Sequence, residues 1–70
     1  MKVTFLGTNS VQGNCETLYA TDRGTLLVQG KIVTDPEALA TIQNTYAGLG
    51  EDETVVEIPA DLVRFAPKAV

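Results

Sequence analysis

The chain has no histidine, no tryptophan, one cysteine (Cys15) and only two Tyr and two Phe. Each shortage excludes something. Without a second thiol no disulfide can form within one chain. Without imidazole, and with a single thiol, the nitrogen and sulfur donor sets that hold zinc cannot be assembled. No histidine is available as the base for a cysteine or serine nucleophile. Cys15 lies between Asn14 and Glu16 rather than among the cationic neighbours that activate a thiolate, so it reads as a buried, inert side chain. Basic residues are also few. Lys2, Arg23, Lys31, Arg64 and Lys68 are scattered against nine carboxylates, for a formal net charge of −4. Affinity for nucleic acids comes mostly from Lys and Arg neutralising phosphates, so no direct nucleic-acid binding is expected. Apolar runs stop at three residues, far short of the roughly 20 that span a bilayer. No signal-peptide core follows Met1-Lys2. No membrane partner is expected, and the location reads as cytoplasmic, where a lone cysteine stays reduced.

What is present suffices for folding. Seventy residues at 44% hydrophobic content predict one small domain over 1–70 rather than a disordered chain. A core of this size is marginal, and such chains often lean on a disulfide, a metal or a second subunit. With the first two excluded, a homo-oligomer is the natural supplement.

The elements follow from residue periodicity. "KVTFL" (Lys2–Leu6) reads as a strand with Val3 and Phe5 on one face. "GTNSVQGNC" (Gly7–Cys15) is rich in Gly, Asn and Ser, and reads as a loop and the segment with most freedom to move. "ETLYAT" (Glu16–Thr21) and "TLLVQGKIV" (Thr25–Val33) flank Asp22-Arg23-Gly24, a three-residue hairpin connection with glycine at the position that needs positive φ. A period of two puts Leu26, Val28, Gly30 and Ile32 on one face, the better core candidate, and Leu27, Gln29, Lys31 and Val33 on the other. Gly30 inside the run predicts a bulge or bend.

Thr34-Asp35-Pro36-Glu37 opens a helix. Either Thr34 caps it in a box with Glu37, or Asp35 caps it with Pro36 as its first residue. Leu39, Ile42, Tyr46 and Leu49 form one stripe at spacings of three and four, which predicts about three turns ending at Gly48 and Gly50. After the acidic loop Glu51–Glu53, "TVVEI" (Thr54–Ile58) reads as a strand. "PADLVRF" reads as a short helix begun at Pro59 and stopped by Pro67, with Leu62 and Phe65 three apart. The predicted fold class is α+β: a three- or four-stranded, mostly antiparallel sheet with one central helix and a short C-terminal helix.

No motif in the chain carries chemistry. Gly7-Thr8-Asn9-Ser10 and Gly13 lack the glycine spacing, the Lys-Ser/Thr pair and the following helix of phosphate-binding loops. Glu51, Asp52 and Glu53 lack the alternating ligands of a calcium loop, and read as a solvated loop or an acidic docking patch. No catalytic, cofactor-binding or metal residues are assigned, and no cofactor is expected.

The strings "VQGKIVTDPEAL" (Val28–Leu39) and "ETVVEIPADLVRF" (Glu53–Phe65) resemble short uncharacterised actinobacterial proteins with the pattern VQGxxVTDPEAL…ETVVEIPxxLxRF. More distantly, Asn14-Cys15, Asp35-Pro36 and Ile58-Pro59 are similar in placement to those of BldB-type small regulators. The resemblance implies a non-enzyme that acts by protein–protein contact, with a helix-turn-helix regulator as the partner. The chain is thus expected to be a non-catalytic, regulatory interaction module. Its contact surface would be the strand face carrying Leu27 and Val33, the edge near Val55, or the acidic residues Glu51, Asp52 and Glu53. Two other classes remain open at this point: a small-ligand binder or enzyme using the Gly7–Cys15 loop, and an accessory subunit of a larger complex.

Overall fold

Residues 1–9 and 15–68 are described in a computed structural model. The chain opens with strands β1 (Val3–Thr8), β2 (Thr17–Thr21) and β3 (Leu26–Gln29), which form an antiparallel meander in that order. A second antiparallel ladder pairs β4 (Lys31–Ile32) with β5 (Val56–Glu57). Between them lies helix α1 (Pro36–Gln43), and a 3₁₀-helix over Ala60–Phe65 follows β5. The architecture is α+β with antiparallel strands, as the residue periodicities predict. Among the described residues, no helix is long and apolar enough to cross a membrane.

The β2–β3 hairpin closes as its sequence dictates. The Thr21 N–H donates to the Thr25 carbonyl at 3.0 Å, and Gly24 takes a φ of 75°. The Thr21 hydroxyl lies 2.6 Å from that of Thr25 and accepts from the Arg23 N–H at 3.1 Å. Register then fixes the faces. Phe5, Tyr19 and Leu27 stand in one cross-strand row, with Val3 opposite Thr21 beside it. On the opposite face Ala20 pairs with Thr4 and Leu26, while Leu18 pairs with Gly7 and Val28. The β1–β2 register shifts between Phe5 and Gly7, so Leu6 is the extra residue of a bulge.

The core lies on the Gly7–Leu18 face. Leu62 of the 3₁₀-helix is fully buried and Leu18 is 3% exposed; among the described residues these are the only buried apolar side chains. The helix meets β1 and β2. A 3₁₀-helix has three residues per turn, so Leu62 and Phe65 eclipse and point the same way. Phe65 lies over the bare backbone of Gly7: a Cβ placed there would sit 2.2 Å from its Cγ and 2.3 Å from its Cδ1. Arg64 stacks on the outer side of the Phe65 ring at 4.2 Å from the centroid. It also bonds to Asp61, through the carbonyl at 2.9 Å and the carboxylate at 3.2 Å.

Three expectations are corrected. The strand Thr25–Val33 is not continuous. It breaks at Gly30, where a Cβ would come within 2.7 Å of the Glu57 carbonyl oxygen and 2.8 Å of Ile58 Cγ2. The bend predicted at Gly30 is there, and it carries the chain from one ladder to the other. The Leu26–Val28–Ile32 face is not core: all three side chains are exposed. The 3₁₀-helix packs on β1 and β2 at the Gly7–Leu18 end of the sheet, and Leu26 and Val28 on β3 stay exposed beside it. Finally, α1 has eight residues and Tyr46 lies beyond it, fully exposed. Asn44 leaves helical geometry at φ −91°, ψ 1°, and the Thr41 and Thr45 hydroxyls bond back to the Glu37 and Thr41 carbonyls at 3.0 and 2.6 Å. That local bonding competes with helix continuation. At the other end the choice between caps is settled. The Asp35 carboxylate accepts from the Ala38 N–H at 2.9 Å, with Pro36 as the first helical residue.

Candidate interaction surface

The side chains expected to meet a partner fall in three separate places. Leu27 lies in the middle of β3 and is 38% exposed, beside Tyr19. Val33 lies past the Gly30 break, and its N–H donates to the Val55 carbonyl at 2.9 Å. Val33 and Val55 are therefore neighbours at the end of the β4–β5 ladder, both half-buried, and neither shares a face with Leu27. Glu51 and Asp52 are exposed in a turn. Glu53 folds back on that turn. Its carboxylate accepts from the Gly50 N–H at 2.7 Å, while its own N–H donates to the Gly50 carbonyl at 3.1 Å.

The larger feature is a band that the sequence shows only in pieces. On the face of the meander opposite the 3₁₀-helix, Val3, Phe5 and Leu27 are exposed, with Tyr19 half-buried between Phe5 and Leu27. Phe5 is 60% exposed. Its ring meets that of Tyr19 edge to face, with centroids 6.3 Å apart and planes at 72°. The Tyr19 hydroxyl donates to Gln29 Oε1 at 3.1 Å, which directs its polar end along the sheet. Alternation places Thr21, Thr17 and Gln29 on the same side, with Thr17 buried, so β1–β3 set no charged side chain on this face although the chain is strongly acidic. Exposed apolar residues scattered singly are ordinary, whereas a contiguous row of them marks a contact site. The signal in the sequence was the alternation of Val3 with Phe5 and of Tyr19 with Thr21. Joining it to Leu27 needs the strand register, which sequence periodicity does not supply.

The alternative site at the Gly7–Cys15 loop is only partly visible, because residues 10–14 lie outside those described. Gly7 and Thr8 belong to β1, and the Thr8 hydroxyl donates to the Glu16 carbonyl at 2.8 Å. Cys15 is half-buried beside a small depression formed with Glu16, Gln29, Gly30 and Lys31. An adjoining depression of about 250 Å³ is lined by Glu16, Lys31, Glu57, Ile58 and Pro59. Both fall below the roughly 300–1,000 Å³ of small-molecule sites. Among the described residues, no group of carboxylates and thiols is arranged to hold a metal ion. No protein family, curated protein or solved structure matches the chain.

Proposed function

We propose that this protein is a non-catalytic interaction module that binds another protein through the open face of its three-stranded sheet. The observation that carries this reading is the uncharged row Phe5–Tyr19–Leu27 with Val3 beside it. A sheet buries its apolar face against a second layer, and among the described residues the row Val3, Phe5 and Leu27 is left exposed while the 3₁₀-helix packs on the opposite face. The aromatic pair is the natural anchor, since large, stiff aromatic side chains dominate the energetics of protein contacts. A helix-turn-helix regulator is the partner class that the sequence resemblance suggests, and regulation by contact is the role. Recovery of bound protein from the native cell tests this, comparing the wild type with Phe5→Lys. A partner held in stoichiometric amount by the wild type and lost from the folded variant is the expected result. Equal capture by both, or saturable metabolite binding at the Glu16–Lys31–Glu57 depression, would contradict it.

A further inference from the structure

We infer that the free edge of β3 pairs with β3 of a second copy, about a two-fold axis at Leu27, to make one six-stranded sheet. This goes beyond the proposed function, because it uses the edge of the sheet rather than its face.

The argument starts from which edge is defended. The meander has two outer strands, β1 and β3. Natural proteins blunt such edges with charge, proline or a bulge. In β1 the Leu6 bulge does this. In β3 nothing does. Its four residues, Leu26-Leu27-Val28-Gln29, hold no charge and no proline, and Leu26, Leu27 and Val28 are 45%, 38% and 42% exposed. Among the described residues, β2 is the sole strand paired with it.

The backbone supplies the donors. Thr21 and Thr25 form a hydrogen-bonded pair at the hairpin end. Antiparallel bonding alternates, so Leu27 bonds towards Tyr19, while the N–H and C=O of Leu26 and Val28 point outward. Two copies related by an axis normal to the sheet keep their faces in common, so opposed residues must come from the same face. Centred on Leu27, that register sets Leu27 against the second copy's Leu27, Leu26 against its Val28, and Thr25 against its Gln29. Every outward N–H gains an acceptor, and each pair across the axis is apolar or uncharged. No charged side chain lies between Thr25 and Gln29, so the paired stretch opposes no like charges, and Arg23 and Lys31 fall outside it, past Gly24 and Gly30. Gly24 and Gly30 lie symmetrically three residues either side of the axis, where the chain turns away.

Size favours a second copy as the occupant. The surface is 5,728 Å² for a 7.5 kDa chain, against about 4,200 Å² for a folded monomer of that mass. The Cα radius of gyration is 13.8 Å, against about 11 Å for a compact 70-residue domain. The chain has surface to lose, and a self-complementary edge on which to lose it.

Sedimentation equilibrium of the full chain at hundred-micromolar concentration tests this. The wild type is expected at twice its 7.5 kDa mass. Val28→Pro removes an outward donor and leaves the bonds to β2 intact, while Leu26→Lys sets a charge against the second copy's Val28. Both variants are expected to run as single chains with the wild-type circular dichroism. Phe5→Lys changes the open face and is expected to stay dimeric, which separates this inference from the proposed function. If the edge variants fail to fold, amide exchange decides. Leu26 and Val28 should be protected in concentrated wild type and exchange freely on dilution. A monomeric wild type overturns the inference and leaves the edge to a foreign strand. It is equally overturned by a folded edge variant that still dimerises, by loss of the dimer in folded Phe5→Lys, or by unprotected Leu26 and Val28 amides in a dimer.

Discussion

Gly7 and Leu62 together hold the 3₁₀-helix on the sheet, and the tolerance of the protein to substitution should be lowest there. Gly7→Ala drives a methyl group into the Phe65 ring, an overpacking that costs about 1–3 kcal/mol. In a chain this small each kcal/mol is roughly 4–8 °C in melting temperature, so a thermal melt should show the loss clearly. Leu62→Ala empties the one fully buried side-chain site, where a Leu→Ala change costs about 2–5 kcal/mol. With Leu18 as the only other buried apolar residue described, that loss is a large fraction of a total of about 5–15 kcal/mol for typical proteins. Urea titration should therefore find Leu62→Ala substantially unfolded in dilute solution. A midpoint within experimental error of the wild type would show that Leu62 is not at the centre of the core. At this scale the sequence was informative where spacing matched a helix period: Leu62 and Phe65 were legible as a pair. The need for glycine at position 7 was not, because it comes from a ring that is far away in the chain.

Among the elements, the two junctions punctuated by proline show how local chemistry sets boundaries. Pro36 opens α1 behind the Asp35 cap, and Pro59 precedes the 3₁₀-helix. Asp35→Ala should cost about 0.5–2 kcal/mol, because the Ala38 N–H loses its acceptor. The effect should be local: faster amide exchange at Ala38 and Leu39, with little change in β1–β3. Equal acceleration throughout the sheet would mean that α1 is integral to the core, although none of its side chains is fully buried. Turns and caps were legible because their chemistry is contained within four or five residues. The stripe Leu39–Ile42–Tyr46 satisfies a helical period past the true end of α1, because the Asn44–Thr45 segment ends the helix whatever the apolar spacing. Alternation runs through Gly30 and so gives no sign that Thr25–Val33 divides between two ladders, because periodicity does not report which ladder a residue joins. The interaction residues Leu27 and Val33 were separated by that break, while Val33 and Val55 were brought together by pairing across more than twenty positions of chain.

Considered whole, the described residues cover one face of the sheet and leave Val3, Phe5 and Leu27 exposed on the other, and the area is larger than the mass requires. Anything that binds the folded state and not the unfolded one raises apparent stability by mass action. Thermal melts of the wild type should therefore shift upward with protein concentration, and those of Val28→Pro should not. The measurement that tests the central claim most directly is residue-resolved: amide and methyl NMR shifts of labelled protein, followed as protein concentration is raised and as its cellular partner is added. Contact through the sheet predicts changes centred on Val3, Phe5, Tyr19 and Leu26–Val28, with the concentration-dependent ones at β3. Silence along the whole sheet, with saturable shifts at Glu16, Lys31 and Glu57 on titration with metabolites, would contradict it.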